Sequence, residues 1–373
     1  MVRPEDRKLR QREIQQIDDN PSNLTSIAPP VMHAEKTRAA ETSTRAVRVA
    51  VYHQGALGDF LLVLSVLEGL CRSRPGIRYD FWSKEAHFSL IAAREYAGAF
   101  HPADCPEAAA LLHDRLWETA ALPPAVAQAG AVFIFGQAGA RILSERLRAR
   151  LGRPVHWIRS FPGPADPAVH ASEFVRRQLA SLGWPAQPAT PTLTAAPQDK
   201  EAARGWLLAN GVRGKPAFIH PGSGGKRKVW PLAEWRRLIR WLAEDLRLPV
   251  ILSLGPADGL LHPLAEAVRG PRVLELAGFP LARTAAVLSE SLFYVGSDSG
   301  ISHLAAACGI PAAAVFGPTD PAVWRPLGER TQVVQRSWRE EEILALPPEF
   351  PSGPPDSGLA AIIESVLAVS GEP

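Results

Sequence analysis

A short apolar strand, a turn rich in Gly and Ser, and an Ala-rich helix follow one another in residues 292–311. Asp298 or Ser299 can cap this helix. The first amides of a helix lack backbone partners and its dipole favours negative charge, so the arrangement can bind an anion. His303, one turn into the helix, can face the same anion. The alternative is a capped helix whose histidine faces the core.

The same strand–turn–helix pattern recurs along the chain and predicts parallel sheets covered by helices on both faces. Strands are predicted at 47–53, 77–82, 131–136, 154–158, 216–220, 249–254, 272–276, 292–295 and 312–316. Helices are predicted at 59–70, 84–95, 106–116, 139–150, 168–182, 198–210, 231–242, 260–269, 281–290, 299–308 and 357–369. Such sheets bind ligands at the carboxyl ends of their strands, and the Gly-rich turns fall there.

A proline-rich stretch, Trp184–Pro197, separates two α/β halves of the chain and is the predicted linker. The predicted domains are an N-terminal half at 47–188 and a C-terminal half at 189–346, followed by a Pro-rich segment and terminal helix at 347–373. Residues 1–46 are polar and mixed in charge, and we expect a disordered extension. Both methionines lie there, and the sequence leaves open which one starts translation.

The composition excludes several classes of protein. A net charge of +3 without a long basic run gives no signal for nucleic-acid binding, and 46% hydrophobic residues indicate a globular chain. Three cysteines, far apart and odd in number, predict neither disulfides nor a zinc site and are typical of the cytoplasm. His303, Gly309 and Pro311 interrupt the longest apolar region, so no membrane span is predicted.

Two further turns can carry chemistry. Gly55–Asp59 places a carboxylate at the start of an apolar helix, where it is either a cap or, in a cleft, a general base. Pro221–Lys228 is rich in glycine and holds three cations, and it is either an anion site or a solvated loop. It lacks the spacing of a Walker A motif. The sequence shows no Asp-x-Asp pair in a strand-end turn and no nucleophile elbow.

Three blocks resemble the lipopolysaccharide heptosyltransferases, glycosyltransferase family 9. The first is Gly55–Leu62. The second is His220–Pro231, which contains Lys-x-Trp-Pro and precedes the helix of Trp235. The third runs from Val295 to Pro326. The resemblance covers about residues 47–335, and its third block is the most specific.

This resemblance implies a GT-B-like fold of two Rossmann-like domains with the active site in the cleft between them. The C-terminal half of such enzymes binds a nucleotide sugar, usually ADP-heptose, and the N-terminal half binds a lipopolysaccharide inner-core sugar or a related glycan. Transfer inverts the anomeric carbon and needs neither a metal nor a cofactor. The enzyme is then expected in the cytoplasm, with at most peripheral contact to the inner membrane.

The resemblance also assigns roles to residues. Asp59 matches the general base that takes the proton of the acceptor hydroxyl, and Gly58 before it is assigned to substrate binding. Lys228 matches the cation that neutralises the leaving diphosphate. Donor contacts are assigned to Ser223, Gly224, Asp298, Ser299, Gly300 and His303.

One position departs from the family pattern and leaves the nucleotide open. The family often has a glutamate, which holds the ribose, where this chain has Ala257. The carboxylate comes one residue later, as Asp258, which we assign to the ribose in its place.

The later part of the N-terminal half is basic, through Arg141, Arg146, Arg148, Arg150, Arg153 and Arg159. These arginines either face an anionic acceptor or form a solvated surface. Two other functions stay open on the sequence alone: a nucleotide-sugar 2-epimerase of similar fold, and a non-catalytic paralogue that acts as a binding module. The intact Asp59 and Lys228 argue against the paralogue.

Overall fold

Runs of residues buried on both faces form the central strands of the first sheet. The computed structural model describes residues 47–348, 353–354 and 356–370 of the 373-residue chain. All strand pairs of this sheet are parallel, in the order β3–β2–β1–β4–β5. Its strands are β1 Arg48–His53, β2 Arg78–Ser83, β3 Ala97–Pro102, β4 Ala131–Phe135 and β5 Val155–Ile158.

Helices of the first half connect these strands, as parallel pairing requires. They are α1 Leu57–Ser73, α2 Glu85–Phe88, α3 Pro106–Leu112, α4 Pro124–Gln128, α5 Ala138–Arg150 and α6 Ala171–Ser181. The following segment, which contains the predicted linker, has no helix or strand until Pro197.

The second sheet has six parallel strands, in the order β11–β10–β9–β6–β7–β8. Its strands are β6 Ala217–His220, β7 Val250–Leu254, β8 Val273–Ala277, β9 Phe293–Ser297, β10 Ala312–Phe316 and β11 Thr331–Gln335. Its helices are α7 Pro197–Ala209, α8 Leu232–Arg240, α9 His262–Ala267, α10 Leu281–Ser289, α11 Gly300–Ala307, α12 Pro321–Trp324 and α13 Ser357–Ser370. A π-helical turn, Trp241–Asp245, extends α8.

Both sheets reverse their strand order beside their first strand. The chain adds β2 and β3 on one side of β1 and then continues with β4 on the other side. The second sheet does the same around β6, where β9 begins the return. Doubly wound sheets bind ligands at this switch point, outside the carboxyl ends of the strands. The turns that follow β1, β6 and β9 therefore lie where a ligand is expected.

Helix α1 lies in the core that joins the two halves. Its residues Phe60–Leu67 are all buried, so the helix is apolar around its whole circumference. The same hydrophobic cluster contains residues of α1, such as Leu61, and residues of α11, such as Leu304. Because both helices begin at Gly-rich turns, their packing brings those turns together.

The predicted fold class is confirmed: the described residues form two doubly wound α/β sheets. The helix predicted at 84–95 is only α2, four residues long, and the sequence did not predict β3, β11, α4 or α12. The boundary at residue 188 stays a prediction, as contacts group residues 45–373 as one unit. The predictions for residues 1–46 and for part of 347–373 concern residues outside the described ones. No helix among the described residues is long and apolar enough to cross a membrane.

Candidate active site

The N-termini of α1 and α11 touch each other across the two halves. A Cβ atom placed on Gly300 would lie 2.8 Å from the Leu57 Cβ and 3.2 Å from the Gly58 amide nitrogen. A Cβ on Gly58 would lie 3.1 Å from the His303 ring. Contacts this short leave no room for a side chain at either position. The turn after β1 and the turn after β9 therefore form one surface.

Asp59 is half-buried in the first turn of α1. Its carboxylate Oδ2 accepts a hydrogen bond of 3.3 Å from the amide of Ala56 at the start of the helix. Burial raises the pKa of Asp59, while the Ala56 amide and the charges of Lys228 and Lys84 act in the opposite direction. A partly desolvated carboxylate with a raised pKa has the properties of a general base, and it also caps its own helix.

Lys228 forms an ion pair with Asp298, with 2.9 Å between Nζ and Oδ2. The same Oδ2 accepts a 2.6 Å hydrogen bond from the hydroxyl of Thr319. The Asp298 side chain is 6% exposed and that of Lys228 is 35% exposed, so the aspartate is buried and the lysine side chain is partly open to solvent. The pair holds a cation at the carboxyl ends of β6 and β9.

The side chain of Asp298 does not cap α11, in contrast to the prediction for Asp298 or Ser299. Its carboxylate bonds instead to Lys228 and Thr319, because both lie within reach across the switch point. Ser299 is the residue before α11, and its side chain makes no capping hydrogen bond. No side-chain oxygen of Asp298 or Ser299 therefore caps the first amides of α11, which suits anion binding. The amide of Ser302 is already bonded to the backbone oxygen of Ser299 at 3.1 Å.

Ser223 ties the turn after β6 to the turn after β9. Its hydroxyl donates a 2.6 Å hydrogen bond to the backbone oxygen of Asp298. A diphosphate needs donors, so this hydroxyl must change partner before it can serve one. Gly224, the next residue, is exposed and offers only its backbone. Both residues lie at the site where the sequence placed them, and their contact with a diphosphate stays a prediction.

Asp258 closes the turn after β7, where its Oδ2 accepts a 2.6 Å hydrogen bond from the amide of Gly255. The carboxylate also lies directly against Gly222 in the turn after β6. Asp258 is 9% exposed and therefore sits beneath the loop that leads to Lys228. Asp258 therefore lies beside the turn that was assigned to the nucleotide sugar, and its contact with the ribose stays a prediction.

His303 is buried and uncharged at neutral pH, because burial lowers its pKa to about 4. The nearby Asp298 opposes this shift, whereas His170 and Lys228 add to it. A neutral imidazole can donate one hydrogen bond to an anion but adds no positive charge. Its contact with Gly58 shows that it also packs one half against the other.

Sequence reasoning missed three residues at this site. Thr319 holds Asp298 through its hydroxyl. Lys84 donates a 2.9 Å hydrogen bond from Nζ to the backbone oxygen of Gly55. His53 is 1% exposed, and neither ring nitrogen has a hydrogen-bond partner among the described residues. Lys84 and His53 stand at the carboxyl ends of β2 and β1, and this position was the signal that could have found them.

The six arginines predicted to make the first half basic all bind within that half, which favours the structural interpretation over an acceptor rim. Arg159 makes a bidentate pair with Asp166, and Arg146 bonds to the Leu111 carbonyl and to Asp114. The remaining four are Arg141 on Glu145, Arg148 on the Val155 carbonyl, Arg150 on the Trp117 carbonyl and Arg153 on the Ala127 and Ala129 carbonyls. Trp324, expected to be structural, packs on Phe161 at 4.9 Å between ring centroids.

Two doubly wound sheets, with a carboxylate and a cation in the turns at their switch points, form the arrangement of a GT-B-like fold. A family model described as glycosyltransferase family 9 (heptosyltransferase) matches residues 159–343. Lipopolysaccharide heptosyltransferase 1 of Pseudomonas aeruginosa is 29% identical over 316 residues, which cover 77% of this chain and 83% of that protein. Lipopolysaccharide heptosyltransferase 3 of Escherichia coli is 28% identical over 46% of this chain and 52% of its own.

Solved structures agree on the fold. E. coli ADP-heptose lipopolysaccharide heptosyltransferase II superposes with a TM-score of 0.65 at 15% identity, covering 87% of this chain and all of that one. The E. coli heptosyltransferase WaaC, solved with ADP, gives a TM-score of 0.60 at 20% identity and covers 86% of this chain and all of its own. The chain is a glycosyltransferase and is similar to glycosyltransferase family 9. This similarity favours the transferase over the epimerase alternative.

Proposed function

We propose that this enzyme transfers a heptose from ADP-heptose to an inner-core sugar of lipopolysaccharide, or to a related glycan, with inversion and without a metal ion. The observation that carries the proposal is the meeting of the two turns, which sets the Asp59 carboxylate near the Lys228 ammonium. The named relatives are lipopolysaccharide heptosyltransferases, and WaaC was solved with ADP. These names support the choice of donor and acceptor.

The reaction follows from the roles that the two side chains can fill. The acceptor oxygen attacks the anomeric carbon while Asp59 takes the proton of its hydroxyl group. A new carbon–oxygen bond forms, and the bond between the anomeric carbon and the diphosphate breaks. The electron pair leaves with the diphosphate, whose growing charge Lys228 and the free amides of α11 stabilise.

The ammonium group of Lys228 must contact the diphosphate in addition to Asp298 in this reaction. In the structure its ammonium group is paired with Asp298. A bound diphosphate would share the ammonium group with Asp298, whose carboxylate Thr319 holds in place. Preorganised charges of this kind stabilise a transition state because they need no rearrangement when the charge develops.

The test is a donor screen that measures nucleotide release. ADP-heptose, ADP-glucose and UDP-N-acetylglucosamine are each supplied with and without lipid A–core fragments. We expect rapid ADP release only from ADP-heptose with the fragments. Preference for a UDP sugar would overturn the donor, and equal release without any acceptor would overturn the transfer reaction.

A further inference from the structure

The turn that carries Asp59 is held from a second strand by Lys84. Lys84 follows β2 directly, and its Nζ donates a 2.9 Å hydrogen bond to the carbonyl of Gly55, four residues before Asp59. Strands β1 and β2 are neighbours in the sheet, so the bond joins their carboxyl ends. The lysine is exposed, and its ammonium group lies against the turn that carries Asp59.

Asp59 and His53 lie on the same side of Gly55. A Cβ atom placed on Gly55 would be 3.1 Å from the Asp59 Oδ2 and 3.1 Å from the His53 Nε2. Burial, together with His87 and Lys84, lowers the pKa of His53 to about 3. His87, whose ring centroid is 6.2 Å from that of His53, has its pKa lowered to about 4 by burial and by Lys84. Both rings are neutral at physiological pH.

The charged groups that act on Asp59 are therefore few. His53 and His87 carry no charge, and His303, which reaches the neighbouring Gly58 from α11, is also neutral. Lys228 acts from the donor half, but its ammonium is shared with Asp298. Among the described residues, Lys84 forms no ion pair with a carboxylate within 4 Å, so its charge is not neutralised locally.

We propose that Lys84 is a positioning residue for the transfer reaction, which fixes the Gly55 turn and keeps the Asp59 carboxylate ionised while burial favours its protonation. The lysine acts through Asp59 and touches neither the donor nor the reacting atoms. The inference rests on the proposed role of Asp59. Lys84 has two separate effects: its hydrogen bond fixes the Gly55 turn, and its positive charge keeps the Asp59 carboxylate ionised.

Three substitutions separate these two properties. Lys84→Arg keeps the donor and the charge, Lys84→Gln keeps a donor without charge, and Lys84→Met keeps neither. The pH dependence of kcat/KM, measured with ADP-heptose and lipid A–core fragments, reports the pKa of the base in the free enzyme. Loss of a cation near a carboxylate raises its pKa, so the acid limb should move to higher pH.

We expect the acid limb to move up by about half a pH unit in Lys84→Gln and Lys84→Met. This is the size expected for the loss of one exposed charge near a carboxylate. In Lys84→Arg it should stay in place. The maximal rate should fall further in Lys84→Met than in Lys84→Gln, since only the former also loses the bond to Gly55. Lys215 is an exposed lysine before β6. The variant Lys215→Met is the control, and its pH profile and maximal rate should equal those of the wild type.

The inference is wrong if the acid limb is the same in all three variants, or if Lys84→Gln behaves like Lys84→Arg. Melting temperatures identify a variant that fails to fold, and the arginine and glutamine variants then decide the question between them. Asp59→Asn, assayed in parallel, separates this failure from a failure of the proposed function. If Asp59→Asn is inactive while the acid limb never moves, only the role of Lys84 is lost.

Discussion

The two halves share one strand arrangement but hold their functional side chains differently. In the C-terminal half, Asp298 is fixed by Lys228, by Thr319 and, through its backbone, by Ser223, at 2.6–2.9 Å. In the N-terminal half, Asp59 has one hydrogen bond of 3.3 Å, from the amide of Ala56. Lys228 is therefore held in place before any ligand arrives, whereas the Asp59 carboxylate has fewer contacts and can adjust.

This difference has a physical basis. A leaving diphosphate needs charge in a fixed place, because reorganisation during the reaction would cost free energy. A base must meet the acceptor hydroxyl at hydrogen-bonding distance, and such contacts often tighten only in the complex. Substitutions in the first half should therefore change turnover, and those in the second half should change donor binding as well.

The largest effect is expected for Asp59→Asn. The amide keeps the shape of the side chain but cannot take a proton, so turnover should fall by ~10²–10⁴ with little change in ADP affinity. Steady-state kinetics and calorimetric titration with ADP measure the two quantities. Turnover close to that of the wild type would show that another group is the base.

Lys228→Met should lower turnover by ~10²–10³, the size typical of losing one preorganised charge-stabilising group. In contrast to Asp59→Asn, it should also weaken ADP binding, because the diphosphate loses a cation in the ground state. The same titration and kinetics apply, with Lys215→Met as control. Unchanged ADP affinity together with normal turnover would remove Lys228 from the site.

His303 gives a smaller effect, on stability rather than rate. Its pKa falls from 6.5 to about 4 on folding, so the unfolded chain binds the extra proton between these values. The stabilisation is complete above pH 6.5 and is lost as the pH falls through 4, with a loss of about 2 kcal/mol already at pH 5. Denaturant titrations should show a flatter pH dependence for His303→Gln than for the wild type or for the exposed His113→Gln. Parallel pH profiles for all three would contradict the buried, neutral state.

Chelation should have the smallest effect. Among the described residues, no three His, Cys, Asp or Glu side chains are grouped to hold a metal ion, and Lys228 is placed for the leaving group. Turnover should be the same with excess EDTA and gain little from Mg²⁺ or Mn²⁺. Loss of activity with EDTA that either ion restores would overturn the role given to Lys228.

The central strands were predictable from sequence, whereas two of the four edge strands, β3 and β11, were not. The buried run at 131–136 predicted β4, Ala131–Phe135, almost to the residue. Strands β3 and β11 stand at the edges of their sheets, where half-exposed residues give neither an apolar run nor alternation. Helix α2 is short because its segment turns back early to feed β3.

The candidate site was predictable in outline only. Asp59, Lys228 and Asp298 are in strand-end turns, which local sequence patterns reveal. Two contacts depend on how distant segments pack, and no local pattern encodes them. They are the ion pair of Lys228 with Asp298 and the hydrogen bond of Lys84 to Gly55. The cap assigned to Asp298 was wrong for this reason, since a tertiary ion pair took the carboxylate away from α11.

In the proposed reaction, the acceptor oxygen loses its proton to Asp59 and displaces the diphosphate in one step. The anomeric configuration of the transferred sugar tests it most directly. NMR spectroscopy of the product made from ADP-heptose and lipid A–core fragments should show a single anomer, inverted relative to the donor. A product that retains the configuration of the donor would contradict the account, because retention requires either a covalent intermediate or attack from the side of the leaving group.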